Sequence, residues 1–321
     1  MDNNRPLLFA LRGSEVYATG VAKRLGWQLA SHEERNYEDG EHKCWPTVTV
    51  NGYQAVLFHS LYSDDRQSAH DKLCRLLFFC NALKDAGACQ VKVVIPYLCY
   101  GRKDRRVETQ DATITRYVAA MMEACGVDQL VTLDVHNPAA FDNAFRIPAW
   151  NLQCAELFAE YFVSVVGDAP VMVASPDFGG IKRAEQFRQA LERQLKQPVG
   201  SALMEKHREH TSLTGMHLVG NVSGRTVIIF DDLISTGQTL IHAGQACRKA
   251  GAIRLFAAAT HGLFTTGGQL FDTSLFERIV IADSVPPFRL RSEYVNGQLQ
   301  VLDSTALVAN LLAQSGAYTT A

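Results

Sequence analysis

Residues 226–244 read TVIIFDDLISTGQTLIHAG: an apolar run ends in Asp231 and Asp232, and a Ser/Thr/Gly turn leads into a segment of helical period. Two adjacent carboxylates at the end of a buried strand repel each other and lose hydration, so they call for a compensating partner. A vicinal diol, a Mg2+ ion or both would serve. The turn that follows suits a phosphate, because backbone N–H groups at a helix N-terminus bind anions. Ser235, Thr236 and Thr239 add hydroxyl donors there, and Gly237 lets the backbone approach closely. Taken alone, an Asp-Asp pair is more often an acidic cap on a polar turn; the whole pattern favours the ligand.

In open α/β sheets, ligands gather at the carboxyl ends of strands. Three further apolar runs end in chemistry-bearing residues. VKVVIPYL (91–98) is followed by CYGRKDRR, with Arg102, Lys103, Asp104 and Arg105; QLVTLDV (129–135) by His136; and VMVAS (171–175) by a turn carrying Asp177 and Lys182. Each has an ordinary explanation: a solvated basic turn, a hydrogen-bonded histidine, an aspartate in a turn. Four such clusters at four strand ends are a different matter.

The elements that must position these residues alternate in type. LLFAL (7–11) precedes a helix from Glu15 to Leu25; TVTVNGYQAVLFHS (47–60) reads as a hairpin turning at Asn51-Gly52. Residues 69–86 carry a helical stripe stopped by Gly87, and a second helix near 112–125 stops at Gly126. The second half repeats the rhythm, with helices near 151–165, 179–195 and 238–250 and strands at 171–175, 226–230, 254–260 and 278–283. Residues 299–314 should end in a helix. The polar stretch 196–224 offers no convincing element, and loops of that size in compact domains are usually functional or disordered. Alternation of this kind predicts βαβ crossovers and parallel sheets. A domain boundary is expected near 148–151.

Composition narrows the classes. Of 321 residues, 47% are apolar and 20% charged, a globular balance, and the formal charge of −2 gives no basic excess for nucleic acid. The eight cysteines include no C-x-x-C pair, and most sit in apolar segments, as reduced core thiols do in the cytosol. The N-terminus lacks a basic-then-apolar leader pattern, and no apolar run approaches a membrane span. A cytoplasmic location is expected, without membrane or nucleic-acid partners. There is no G-x-x-x-x-G-K-[ST], G-x-G-x-x-G or G-x-S-x-G motif, and no cysteine-based zinc signature.

DDLISTGQT resembles the binding loop for phosphoribosyl pyrophosphate (PRPP) of the type I phosphoribosyltransferase fold, which transferases and ribose-phosphate pyrophosphokinases share. The rest of the chain resembles the pyrophosphokinases. PYLCYGRKDRR (96–106) looks like their ATP-contacting segment, and TLDVH (132–136) like the strand whose terminal His binds Mg2+. SPDFGGIKRA (175–184) is similar to the turn whose Asp binds Mg2+ or ribose, and EKHRE (205–209) to the start of the mobile catalytic loop. YEDGE (37–41) looks like the acidic turn that receives adenine from a neighbouring subunit.

The resemblance runs in order from about residue 7 to 310. It implies an α/β protein of two similar domains of the type I phosphoribosyltransferase fold, each a mainly parallel sheet flanked by helices. Residues 1–150 would carry ATP elements, 151–300 the ribose 5-phosphate site with a catalytic loop at 200–222, and 301–321 a helix and tail. Implied roles are Lys206 and Arg208 in catalysis; Tyr37, Asp39, Glu41, Arg102, Lys103, Asp104 and Arg105 on ATP; and His136 and Asp177 on Mg2+. Asp231, Asp232, Ser235, Thr236, Gly237, Gln238 and Thr239 would hold ribose 5-phosphate. The implied assembly is a homo-oligomer, a dimer at least, because a neighbouring subunit supplies the adenine turn.

The chain departs from the common pattern in places. Ser235 stands where many pyrophosphokinases carry Asp, Gln238 where a small residue is usual, and His207 where a basic residue is usual; residues 61–73 lack the usual Gln-Ser-Thr turn. Ser235 suits a PRPP-consuming transferase equally well, though such an enzyme would not account for RKDRR and TLDVH. A non-catalytic regulatory partner should lack key cations or the metal His, yet Lys206, Arg208, His136 and Asp177 are all present.

Overall fold

Parallel strands covered on both faces carry unbroken apolar runs, and here those runs build two sheets. The computed structural model describes residues 5–167, 169–206 and 216–317. The chain divides into two units, Met1–Leu152 with Ser304–Ala321, and Gln153–Asp303.

In the first unit the elements run β1 (Leu7–Ala10), α1 (Glu15–Leu25), β2 (His32–Asn36), β3 (His42–Pro46), β4 (Gln54–Phe58), α2 (Ala69–Asp85), β5 (Gln90–Ile95), α3 (Ile114–Ala124), β6 (Gln129–Leu133), α4 (Pro138–Ala144) and β7 (Ala149–Leu152). The five-stranded sheet has the order β1-β4-β5-β6-β7, every neighbouring pair parallel. One face packs Phe9, Leu57, Val93 and Ile95 against Leu76 and Phe79 of α2 and Val118 and Met122 of α3. α2 opens with a reciprocal capping box between Ser68 and Asp71. The C-terminal helix Thr305–Ala317 packs on α1, where Tyr17 Oη and Ser304 Oγ are 3.1 Å apart and Arg24 Nε donates to Thr305 Oγ1 at 2.8 Å.

The expected hairpin at 47–60 does not form. Asn51-Gly52 does turn, with φ +78° at Gly52, but β4 lies parallel between β1 and β5, and residues 47–50 form no strand. Ala55–Phe58 are all buried, the signature of a central parallel strand rather than a half-exposed hairpin arm. The hairpin of this unit is instead β2–β3, paired antiparallel from His32↔Pro46 to Asn36↔His42. Its strands, HEERN and HKCWP, are too polar to announce themselves by hydrophobic alternation.

The second unit runs α5 (Ala155–Val166), β8 (Val171–Ser175), α6 (Ile181–Leu195), β9 (Gly200–Lys206), β10 (Met216–Val219), β11 (Thr226–Ile234), α7 (Gln238–Lys249), β12 (Arg254–Gly262), α8 (Gln269–Asp272), β13 (Arg278–Ala282), α9 (Ser292–Asn296) and β14 (Leu299–Leu302). Its seven-stranded sheet has the order β10-β9-β8-β11-β12-β13-β14, parallel except for the β10–β9 pair. Strands β9 and β10 correct the expectation that 196–224 holds no element. They lie at the sheet edge, where β9 alternates exposed Ser201, buried Ala202, half-buried Leu203 and buried Met204, a pattern weaker than a central strand gives.

The eight cysteines form no disulfide, and five are buried: Cys44, Cys80, Cys99, Cys154 and Cys247. Burial pushes the thiols of Cys44, Cys99 and Cys247 up to about 12, so they behave as small apolar core groups. No helix among the described residues is long and apolar enough to cross a membrane.

Candidate functional site

The acid pair meets a cation from its own unit. Phe187 of α6 stacks on Phe230 of β11 with ring centroids 4.4 Å apart, and Phe158 and Phe162 of α5 close around them edge-on. This aromatic cluster clamps α6 across the strand that carries Asp231 and Asp232. One helical turn back from Phe187, Arg183 reaches the strand end. Its Nη1 lies 3.0 Å from Asp232 Oδ1 and 3.4 Å from Asp231 Oδ1.

Consecutive strand residues normally face opposite sides of a sheet. Here the Asp232 N–H donates to Asp231 Oδ1 at 2.8 Å, a local exchange that lets both carboxylates meet one guanidinium. The side chains are only 17% and 8% exposed. Burial holds the Asp231 carboxyl well above the usual carboxylate range; the Asp232 charge pushes the same way, and Arg183 opposes both.

Beside the pair, β8 ends in Ser175-Pro176-Asp177. Asp177 Oδ1 accepts from the Gly180 N–H at 3.0 Å, and Ser175 Oγ donates to the Asp177 carbonyl at 2.7 Å. A Cβ on Gly180 would stand 2.9 Å from Ser175 Oγ and 3.8 Å from Oδ1 of both Asp177 and Asp231. The missing side chain thus lets two carboxylates face a common point. Oxygen donors of this kind suit Mg2+, which ordinarily takes one or two carboxylates and leaves its other positions to water and substrate phosphates. Among the described residues, no three His, Cys, Asp or Glu side chains gather as a self-sufficient metal site. Asp177 and Asp231 could thus offer such an ion two carboxylates.

The loop after the acid pair is part strand and part turn. β11 runs on through Ile234; Gly237 then takes φ +81°, a left-handed conformation that favours glycine, and α7 begins at Gln238. A second loop, Leu263–Gly268, supports it: Thr265 N–H donates to the Ser235 carbonyl at 2.9 Å and Thr266 Oγ1 to the Thr236 carbonyl at 3.1 Å. The Ser235 and Thr265 hydroxyls are 3.4 Å apart, and Gln238 Nε2 lies 3.5 Å from Gln269 Oε1. Ser235 therefore faces this second loop, and Gln238 faces the start of α8 just beyond it. Lys206 ends β9; its side chain, and Arg208 with the rest of 207–215, lie outside the described residues.

The first unit holds the other group of expected site residues. Tyr37–Glu41 form the tip of the β2–β3 hairpin, closed by Tyr37 N–H to the Glu41 carbonyl at 2.9 Å, with Gly40 at φ +91°. Asp39 Oδ1 accepts from the Glu41 N–H at 3.0 Å, so this carboxylate braces the turn. After β5 the chain turns at Tyr100, at φ +63°, and Thr115 at the start of α3 pins it by donating Oγ1 to the Tyr100 carbonyl at 2.8 Å. Arg102, Lys103 and Arg105 are exposed. Asp104 instead accepts from Asn137 Nδ2 at 2.6 Å, which joins the basic loop to the residue after His136. His136 is half-buried beyond the end of β6, two residues past buried Asp134, which holds φ +32°. His136 and Asp177, both expected on Mg2+, belong to different units.

A family model described as the N-terminal domain of ribose phosphate pyrophosphokinase matches residues 7–126, and one described as a phosphoribosyl synthetase-associated domain matches residues 182–314. Ribose-phosphate pyrophosphokinase 1 of Streptococcus agalactiae is 34% identical over 286 residues, covering 87% of this chain and 84% of its own length. The chain belongs to the ribose-phosphate pyrophosphokinase family. The Streptococcus mutans ribose-phosphate pyrophosphokinase 1 is 33% identical over 313 residues, 95% of this chain and 92% of its own. The crystal structure of phosphoribosylpyrophosphate synthetase from Mycobacterium smegmatis superposes with a TM-score of 0.87 at 26% identity, over 98% of this chain and 99% of that one. Membership accounts for the paired α/β units and their mainly parallel sheets.

Reading the sequence for members of this family missed Arg183, Gly180 and the Thr265–Thr266 loop. Arg183 was within reach. A basic residue in the first turn of the helix that follows Asp177 is well placed to meet an acid pair on the neighbouring strand. The Thr265–Thr266 loop carries no such signal, since two threonines in a polar turn are common surface chemistry.

Proposed function

We propose that this family member is a ribose-phosphate diphosphokinase, which moves the pyrophosphoryl group of ATP to the 1-hydroxyl of ribose 5-phosphate, giving PRPP and AMP for nucleotide synthesis. What supports the reading is the acid pair and hydroxyl-lined turn at the N-terminus of α7 taken together with the exposed basic residues Arg102, Lys103 and Arg105 after β5 and His136 after β6, which a PRPP-consuming transferase would not need. The pair supplies acceptors for a ribose diol, and the turn supplies donors for its 5-phosphate.

Pyrophosphoryl transfer asks a protein mainly to position its reactants and balance their charge. Asp231 and Asp232 would hold the sugar hydroxyls, and Ser235, Thr236, Gly237, Gln238 and Thr239 the 5-phosphate. Arg102, Lys103 and Arg105 would meet the ATP phosphates, and Tyr37, Asp39 and Glu41 of a second copy the adenine, so the working form is a homo-oligomer. Asp104, tied to Asn137, would position the basic loop rather than touch ATP. His136 and Asp177 would hold Mg2+, which when bound offsets phosphate charge. Lys206 and Arg208 would close over the reacting phosphates, stabilise transition-state charge and keep water from hydrolysing ATP. A cytoplasmic location accords with this reaction, and the ATP elements would lie in the first unit and the sugar-phosphate elements in the second. Formation of AMP and PRPP from ATP, Mg2+ and ribose 5-phosphate is the test; a transferase or a silent partner forms neither.

A further inference from the structure

We propose that Arg183 is a positioning residue for the sugar-phosphate: by binding both carboxylates at once, it holds Asp231 and Asp232 side by side in the arrangement a vicinal diol requires. The proposal rests on the acid pair being the ribose site.

The geometry carries it. One nitrogen of Arg183 reaches Oδ1 of both aspartates, and the Asp232 N–H is given to Asp231. Without the guanidinium, two poorly exposed like charges would separate by rotating apart. A diol presents two neighbouring hydroxyl donors and needs two neighbouring acceptors, so the angle between the carboxylates matters to it more than their charge. Structural docking of α6 does not depend on this contact, because Phe187, Phe230, Phe158 and Phe162 already interlock helix and strand. A partly buried ion pair adds little net stability over an apolar contact, whereas its orienting effect is specific. Lysine could offer one nitrogen to both carboxylates, but on a flexible stem and without the fixed orientation of a planar guanidinium, so it should hold the pair less firmly.

The test is direct binding of ribose 5-phosphate, by titration calorimetry, to the wild-type chain and to Arg183→Gln, Arg183→Lys and Arg183→Ala, with ATP binding and thermal melting measured alongside. Arg183→Gln should weaken ribose 5-phosphate binding about tenfold or more, as loss of a charge-assisted contact does. Arg183→Lys should fall between, ATP affinity should hold, and added guanidinium ion should restore binding to Arg183→Ala. Wild-type affinity in Arg183→Gln overturns the proposal. So does a parallel loss of ATP binding and melting temperature that guanidinium does not repair, since that marks a purely structural pin. A wild-type chain that binds ribose 5-phosphate yet forms no PRPP, with binding lost in Arg183→Gln, upholds Arg183 and removes the proposed reaction. PRPP formation with wild-type KM in Arg183→Gln does the reverse, and a wild-type chain that binds no ribose 5-phosphate overturns both.

Discussion

Arg183 Nη1 stands 3.0 Å from Asp232 Oδ1, and the same nitrogen is 3.4 Å from the preceding aspartate. One guanidinium nitrogen thus serves two neighbouring carboxylates. The Asp231 carboxyl is held above its ordinary range, chiefly by burial and then by the Asp232 charge. For a carboxyl raised in the folded state, the folded chain binds more protons than the unfolded one once pH passes the unfolded value. Stability is therefore lost as pH rises through that window. Asp231→Asn should raise stability at neutral pH by on the order of 1 kcal/mol while weakening ribose 5-phosphate binding. Melting curves and calorimetry on the same sample check both; a variant that melts lower at pH 7 contradicts the strained pair.

The aromatic clamp should couple packing to the site. Phe187 is fully buried and stacked on Phe230, next to Asp231. Phe187→Ala should cost about 3–5 kcal/mol by cavity formation. It should also weaken ribose 5-phosphate binding, because α6 carries Arg183. Chemical denaturation with a parallel binding assay reads the two effects, and full affinity in a destabilised variant would separate clamp from site.

Gly180 is a place where one methyl group matters. A Cβ there would meet Ser175 Oγ at 2.9 Å, closer than real Cβ contacts come, and would sit between Asp177 and Asp231. Gly180→Ala should destabilise the second unit by about 1–3 kcal/mol through overpacking. It should also raise the Mg2+ concentration needed for half-maximal turnover. An unchanged Mg2+ dependence would show that Asp177 and Asp231 do not share a ligand.

In the first unit, His59 gives a pH dependence of opposite origin. It is fully buried, and burial foremost, then the Lys72 charge, lowers its pKa to about 3; Glu34 and Asp64 pull upward and Arg75 downward. Ser14 Oγ lies 3.5 Å from its Nδ1. With the folded pKa below the unfolded value, the unfolded chain takes up a proton that the folded chain refuses. Stability is complete above about pH 6.5 and falls below it by about 1.4 kcal/mol per pH unit for this one group. Urea titrations at pH 7.5, 6 and 5 should show a steeper acid loss in the wild type than in His59→Gln. Equal slopes would mean that His59 finds a proton-accepting partner when buried.

How much was legible followed from what each residue has to do. The apolar runs of β5, β6, β8, β11, β12 and β13 could be read because central parallel strands are buried on both faces. β2, β3, β9 and β10 could not, because hairpin and edge strands keep polar residues such as Glu33, Lys43 and Glu205 that hide their period. The Asn51-Gly52 signal misled because a tight turn fixes a change of direction, not the pairing of what flanks it. At the site, Asp231, Asp177 and Gly237 were conspicuous for their residue types at strand ends. Asp104 and Asp39 looked alike in sequence, yet Asp104 accepts from Asn137 Nδ2, 33 residues away, whereas exposed Asp39 accepts from the Glu41 N–H within its own turn.

The central claim is tested most directly by incubating the full chain with ATP, Mg2+ and ribose 5-phosphate, following AMP and PRPP together, and repeating the assay with Lys206→Ala and Arg208→Ala. The predicted result is equimolar AMP and PRPP from the wild type. In both variants turnover should fall by orders of magnitude, with ATP affinity little changed, as removal of transition-state charge stabilisation requires. Absence of both products from a folded wild-type chain that binds its substrates, or ADP in place of AMP, would contradict it.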